Sequence, residues 1–255
     1  MALFARGAGG DDAGMTAPQH NAFGQPIGAP VPDWTPPPAP PRTPMIGRHC
    51  RIEPLSEAHA ADLHAANLRD PDGRNWTYLA YGPFAREDEY RRWLVATCLG
   101  DDPRFHAILD AETGRAVGVA AYLRIDPRGG SIEVGHINLS PALQRSRGAT
   151  EAMFLLMQRA FELGYRRYEW KCDALNAPSR AAAQRLGLSF EGVFRQATVY
   201  KRRNRDTAWY AAIDADWPAL AAAFATWLAP ANFDADGHQR VSLRALTRPL
   251  LAREG

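Results

Sequence analysis

The 255 residues, 46% hydrophobic and 23% charged, are enough for one sizeable core and a tail, and a net charge of +2 points to neither nucleic acid nor an acidic partner. Cys50, Cys98 and Cys172 form an odd set without Cys-x-x-Cys spacing, and the seven histidines add no ligand spacing, so neither a disulfide framework nor a metal site is expected. No apolar run reaches bilayer-spanning length and Met1 to Arg6 lack a secretory apolar core, which predicts a cytoplasmic protein that does not enter a membrane.

Residues 1–44 hold ten of the twenty prolines, including Pro36-Pro37-Pro38, and are expected to be an extended leader. Pro38-Ala39-Pro40-Pro41 has the Pro-x-x-Pro spacing of adaptor ligands. The favoured reading is a strap laid on the domain, with Phe23 and Trp34 as anchors. Met15 offers an internal translation start. The folded domain is expected over residues 45–230, with 231–255 as a C-terminal extension. Within it the pattern gives a strand from Arg48 to Glu53, a helix from Ser56 to about Leu68 and another from Glu87 to Cys98. Strands follow at Phe105 to Leu109 and Ala116 to Arg124, with Glu112-Thr113-Gly114 as the turn between them. Asn75 to Phe84 is aromatic and turn-rich, and reads equally as a binding loop or a buried aromatic cluster.

Ser131 to Leu139 alternates apolar and polar residues like a strand and breaks at Pro141. Ala149, Ala152, Met153, Leu156, Ala160 and Leu163 then follow one-sided helical spacing up to Gly164. Between them, Gln144, Arg145, Ser146 and Arg147 add donors to a helix start that already carries unpaired N–H groups and a partial positive charge, so an anion is the natural guest. A solvated strand-to-helix turn is the plain alternative. Arg166 to Asp173 repeats the alternation, and Asn176 caps a helix with Pro178 in its first turn, an apolar face of Ala181, Ala182 and Leu186, and Gly187 as its stop. Leu188 to Arg195 returns as a strand. Tyr200 to Asp206, rich in arginine, lies between strand-like runs Phe194 to Val199 and Thr207 to Ile213, and reads first as a solvated hairpin turning at Asn204.

This order of strand, anion turn, helix, strand, Asn-x-x-Ser, helix and Leu-Gly-Leu-Ser-Phe-Glu-Gly resembles the GNAT acyltransferase superfamily, and within it the RimJ/RimL-like branch, over residues 45 to 230. Pro141, Gln144 and Ala149 match the superfamily's phosphate turn, while Arg147 occupies its first glycine position and Gly148 lies one residue later. The resemblance implies an α/β (α+β) fold: a mixed, mostly antiparallel sheet of about seven strands flanked by helices, with two central parallel strands splayed apart at one end.

It also implies acyl transfer from acetyl-CoA to a primary amine by direct attack in a ternary complex, with no metal. The acceptor would be a small molecule or a protein N-terminus, and a homodimer is compatible with the family. Asn138 and Leu139 would supply backbone N–H groups to the oxyanion. Gln144, Arg145, Ser146, Arg147, Gly148, Ala149 and Thr150 would hold the diphosphate, and Asn176 the pantetheine amide. Ser179 would protonate the departing thiolate. Glu133 and His136 are the candidate bases, ahead of Glu169 and Asp173. Strand parity puts Glu133 and His136 on opposite faces unless a bulge intervenes. Trp76, Tyr78, Tyr81 and Phe84 lie in a segment resembling the loop that lines the acceptor side. Cys172 shares a strand face with Tyr168 and Trp170 and would be shielded by bound CoA. The competing reading is a non-catalytic acyl-CoA-binding sensor or interaction protein on the same fold.

Overall fold

The computed structural model describes residues 19–255; Met15 lies outside them. Two compact units divide at Thr35/Pro36. In the first, β1 (Gln19–His20) and β2 (Pro26–Ile27) pair antiparallel, and Asn21 Oδ1 closes their turn by accepting the Phe23 and Gln25 N–H groups at 2.9 and 3.0 Å. Phe23 is 87% exposed.

The second unit is built on an eight-stranded sheet of order β3-β4-β5-β6-β7-β8-β10-β9. Its strands are β3 (Met45–Ile46), β4 (Cys50–Pro54), β5 (Arg104–Asp110), β6 (Ala116–Asp126), β7 (Ser131–Leu139), β8 (Arg167–Asp173), β9 (Ser189–Tyr200) and β10 (Arg203–Ile213). Every neighbouring pair is antiparallel except β7 and β8. On one face α1 (Ala60–Asn67) and α2 (Glu87–Thr97) bury Leu63, Tyr90 and Leu94 against Phe105, Ala107, Val119 and Ala121. On the other, α3 (Arg147–Glu162) and α4 (Ala177–Arg185) bury Ala152, Met153, Leu156 and Ala183 in a core that includes Ile132, Val134, Tyr168, Trp170 and Cys172. These are the two faces that period-2 alternation dictates, each with its own apolar cluster. α5 (Trp217–Leu228) and α6 (Leu243–Thr247) extend the second cluster through Leu220, Phe224 and Leu243.

Residues 36–44 lie against the sheet unit as a strap. Pro37 and Pro40 are buried, the Tyr165 hydroxyl donates to the Pro38 carbonyl at 3.2 Å, and Arg159 donates to Thr43 Oγ1 at 3.0 Å. The Pro-x-x-Pro segment is thus engaged by its own chain. A single carboxylate fixes the next turn: Glu151, 6% exposed on α3, accepts the Arg48, His49 and Cys50 N–H groups at 2.9, 2.6 and 3.0 Å. Burying a charge is tolerable here because three donors replace its water.

Several sequence expectations are corrected. The helix from Ser56 opens as a 3₁₀ turn, Glu57–His59, before α1. Ala181 is exposed and Ala183 takes its place in the core. The runs on either side of Phe194 are one strand, and the hairpin turns at Lys201-Arg202, not at Asn204: Tyr200 pairs with Arg203 while Lys201 and Arg202 take φ of 47° and 60°. That is the left-handed two-residue turn which matches strand twist, made without its usual Asn-Gly. α5 and α6 are not among the expected elements, although the buried Leu220, Ala223, Phe224 and Trp227 of α5 follow the i, i+3, i+4, i+7 spacing of one helical face.

β7 and β8 pair only from Ser131/Arg167 to Val134/Trp170. Beyond that, β8 stays with β10 through Thr207↔Asp173 and β7 stays with β6 through Gly118↔Leu139. The two strands part, and the sheet opens between them.

Replacing Glu151 by Ala would leave three N–H groups without their acceptor. Unfolding by urea is expected to show a loss of about 3 kcal/mol or more. Glu151→Gln, which keeps one carbonyl oxygen, should lose less, whereas an Ala variant as stable as the parent would mean that the turn is held elsewhere.

Candidate active site

The opening between β7 and β8 continues into a cleft of about 1220 Å³ bounded by the α3 start, the α4 start, the 74–80 loop and the C-terminal segment. Strand polarity determines what β7 offers it. The Ser140 N–H donates to the Val117 carbonyl on β6 at 3.1 Å, so alternation turns the Leu139 N–H to the opposite edge, toward the opening. The Asn138 N–H is directed by the same alternation to β6. Of the two expected oxyanion donors, only Leu139 therefore faces the gap. Asn138 is also a lining residue of the cleft, and its side-chain Oδ1 is buried without a partner among the described residues.

At the α3 start, Ser146 is the N-cap: Oγ accepts the Ala149 N–H at 3.0 Å and donates to the Leu143 carbonyl at 2.6 Å. The Arg147 and Gly148 N–H groups have no acceptor among the described residues. Arg145, with φ 59°, is exposed. These are the free donors for an anion. The remaining turn residues are committed to the fold. Gln144 spends both amide hydrogens on Asn75 Oδ1 (2.7 Å) and the Leu139 carbonyl (2.8 Å). Thr150 is buried and accepts from Arg185 at 3.0 Å. A Cβ on Gly148 would meet the His49 carbonyl at 3.0 Å, so its glycine permits close packing on the β4 side and faces away from the cleft. Arg147, half-buried at the cleft wall, is engaged on the C-terminal side: its guanidinium lies 3.8 Å over the Phe233 ring and donates to the Gly237 carbonyl at 3.3 Å.

Asn176 caps α4 by accepting the Ser179 N–H at 3.1 Å, and both residues line the cleft. Ser179 Oγ accepts from Trp170 Nε1 at 3.0 Å, which leaves the hydroxyl hydrogen to be donated. Cys172 lines the same wall, buried, with its thiol pushed up by burial while a hydrogen bond from Ser179 works the other way.

β7 bulges where it approaches the gap. Ala121 pairs with Gly135 and Val119 with Asn138, so three steps on β7 match two on β6, and His136 takes φ 49°. The bulge sets His136 against Phe105, ring centroids 4.9 Å apart, with Nδ1 3.1 Å from the Tyr81 hydroxyl. His136 thereby reaches the α1–α2 face, which parity alone gives to Glu133 and denies to His136. Glu133 is 3% exposed and bound twice, to Arg124 at 2.9 Å and to Lys171 Nζ at 2.8 Å. Lys171 also holds Glu169 at 2.7 Å and lies 3.7 Å from the Trp209 ring centroid. Burial raises the Glu133 pKa against the pull of both cations. This carboxylate is a structural partner of Lys171 before it is a base. Asp173 accepts the Tyr200 hydroxyl at 2.8 Å.

Of the aromatic loop residues, Tyr78 lines the cleft and donates to the Leu175 carbonyl at 3.2 Å across its mouth. Tyr81 touches it only through His136. Trp76 and Phe84 belong to the second apolar cluster, with Tyr90 and Phe105. Sequence reasoning passed over Lys171, Arg205, Asn75 and the segment from Phe233 to Gln239, all of which line or brace the cleft. Lys171 could have been found from parity, two residues from Glu169 on the face opposite Trp170. In that C-terminal segment Asp234, Asp236 and His238 bring ligand atoms within 4.8 Å of one another on an exposed loop. Asp234 already accepts the His238 N–H at 2.8 Å.

A family model described as an acetyltransferase (GNAT) domain matches residues 49–189. A GCN5-related N-acetyltransferase from Brucella melitensis is 45% identical, with a TM-score of 0.83 over 86% of this chain and 100% of that one. A probable acetyltransferase of the GNAT family from Chromobacterium violaceum is 41% identical, with a TM-score of 0.71 over 76% of this chain and 98% of that one. A RimL ribosomal-protein acetyltransferase, 20% identical over 66% of this chain and 92% of its own with a TM-score of 0.55, shares the fold. No curated protein matches the chain.

Two histidines titrate low. Burial, with Arg124 and Arg205 nearby, lowers His136 to about 4, and burial with Arg104, Arg159 and Arg42 nearby lowers His106 to about 4. Between that value and about 6.5 the unfolded chain binds more protons, so stability should rise with pH across this window, each histidine adding up to about 1.4 kcal/mol per pH unit. Urea unfolding from pH 4 to 7 measures the slope. His106→Gln with His136→Gln should flatten it, and an unchanged slope would assign it to other groups.

Proposed function

This chain belongs to the GNAT acetyltransferase family, and from that premise we propose that it transfers the acetyl group of acetyl-CoA to the nitrogen of a primary amine, in a ternary complex and without a covalent enzyme intermediate. The observation that carries the reading is the opening between β7 and β8, which lies between free N–H donors at the α3 start and the Ser179 hydroxyl on α4. A diphosphate at the Arg147 and Gly148 N–H groups, beside Arg145, would leave a pantetheine arm running along Asn176. Its thioester would then reach the Leu139 N–H.

In this reading the amine nitrogen attacks the thioester carbon and the carbonyl oxygen takes up negative charge, received by the Leu139 N–H. The carbon–sulfur bond breaks and the thiolate takes the Ser179 hydroxyl proton. His136 is favoured over Glu133 as the group that takes the proton from nitrogen. Its low pKa keeps the imidazole neutral near pH 7, while Glu133 is paired with Arg124 and Lys171. With Nδ1–H donated to the Tyr81 oxygen, Nε2 carries the accepting lone pair. A sensor on this fold would call for a decayed site, and Arg147 at the family's first glycine position is the departure such a reading would cite. Its stacking on Phe233 supplies a structural reason for the arginine instead.

The test is CoA release from acetyl-CoA over a broad amine panel, with acetyl-CoA binding measured separately by calorimetry. Ser179→Ala is expected to lower kcat about tenfold to a thousandfold with the acetyl-CoA Kd nearly unchanged. Protein that binds acetyl-CoA yet turns over no amine would favour the sensor. Cys172 gives a check independent of turnover. Its alkylation, read by mass spectrometry, should slow when CoA is bound, while Cys50 and Cys98, buried outside the cleft, should not respond. An unchanged rate would remove CoA from this wall.

A further inference from the structure

One positive charge in the cleft has no use in the acetyl-transfer chemistry. Arg205 stands on β10 just before the bulge that precedes Thr207, and lines the cleft on the side of β8 away from the α3 start. The residue is half-buried with its Nε shut off from solvent, and its guanidinium makes no hydrogen bond or ion pair among the described residues; it lies 5.8 Å from the centroid of the Tyr200 ring. The carboxylates that could answer it are committed elsewhere. Glu133 holds Arg124 and Lys171, Asp173 accepts the Tyr200 hydroxyl and the Leu175 N–H at 2.8 Å each, and Asp206 accepts the Gln196 N–H at 2.7 Å. Arg205 and Arg124 both depress His136, so a positive field reaches the position where the amine must lose its proton.

A guanidinium nitrogen withdrawn from water without an acceptor costs free energy that a bound anion would recover, and its planar fork fits a carboxylate through two parallel N–H···O bonds. The diphosphate end of the cleft has its own donors at the α3 start. The anion for Arg205 therefore belongs to the other substrate.

We propose that Arg205 binds a carboxylate on the acceptor, so that the preferred substrate is a small amino-carboxylate rather than a simple or cationic amine. This rests on the acetyl-transfer reading and names its substrate class. A primary amine next to a carboxylate would also gain from the field: near Arg124 and Arg205 an ammonium is disfavoured, which helps release the nitrogen lone pair that attacks.

The experiment compares matched pairs, amino acids with one to four carbons between amine and carboxylate against their carboxamides, in the CoA-release assay with the full chain. The best acid should exceed its amide in kcat/KM by about thirtyfold or more, the size expected for truncating one partner of a buried charge pair. Arg205→Gln should bring that ratio close to one, chiefly through the acid's KM, and Arg205→Lys should restore part of it. The acetyl-CoA Kd should not move in either variant. Equal use of acids and amides by the parent, an unchanged ratio in Arg205→Gln, or a weakened acetyl-CoA Kd would overturn the assignment. If no amine in either arm reacts, acetyl transfer to small amines fails, and the carboxylate site is read separately by thermal shift with N-acetylated amino acids and CoA. Stabilisation of the parent that is lost in Arg205→Gln supports the site; no stabilisation of the parent overturns it.

Discussion

The site depends on a single topological constraint: β7 and β8 are parallel neighbours that stop pairing after Val134 and Trp170 because each is held by a different antiparallel partner. Backbone N–H groups inside a sheet are normally spent on the ladder. Here the divergence frees the Leu139 N–H without exposing it on an edge, and the helices that follow β7 and β8 bring their N-termini to the two sides of the same gap. Unpaired donors are costly in a folded chain unless something occupies them. In an acetyltransferase an oxyanion and a diphosphate would do so.

The divergence is braced rather than loose. Below it, Glu133, Lys171 and Glu169 form a buried ion-pair chain across the last paired residues of the two strands. Ion pairs of this kind stabilise little against an apolar equivalent, yet removing one partner leaves a buried charge, so they fix register strongly. Above it, Gln144 and Asn75 bridge the Leu139 carbonyl, Tyr78 reaches Leu175, and Lys201 donates to the Trp76 carbonyl at 2.7 Å. Arg147 extends the bracing to the C-terminal segment through Phe233. A departure from the family's glycine pattern thus has a local cause: the turn gives up one small residue and gains a clamp on residues 233–237.

Legibility in the sequence followed the range of each signal. Alternation along Ser131–Leu139 and Arg167–Asp173, and the cap at Asn176, are local, and the structure has them where the pattern put them, whereas Ser146, expected as a donor to an anion, is the cap of α3. The bulge at His136 breaks parity through a left-handed residue that is not glycine, so alternation alone could not show which face that ring occupies. The same holds at Lys201-Arg202, where a left-handed turn carries two long basic side chains. Aromatic composition could not separate Tyr78, at the cleft, from Trp76 and Phe84, in the core, because both environments select the same residues. Arg205 read as part of a solvated basic hairpin. Its withdrawal into the cleft depends on β10 pairing with β8, a contact some thirty residues away in sequence.

The most direct measurement is a crystal structure of the chain with acetyl-CoA. The account predicts the diphosphate at the Arg147 and Gly148 N–H groups, the pantetheine arm between β7 and β8 beside Asn176, and the thioester oxygen within about 3.2 Å of the Leu139 nitrogen. Acetyl-CoA bound elsewhere, or in the cleft with its thioester away from Leu139, would contradict it.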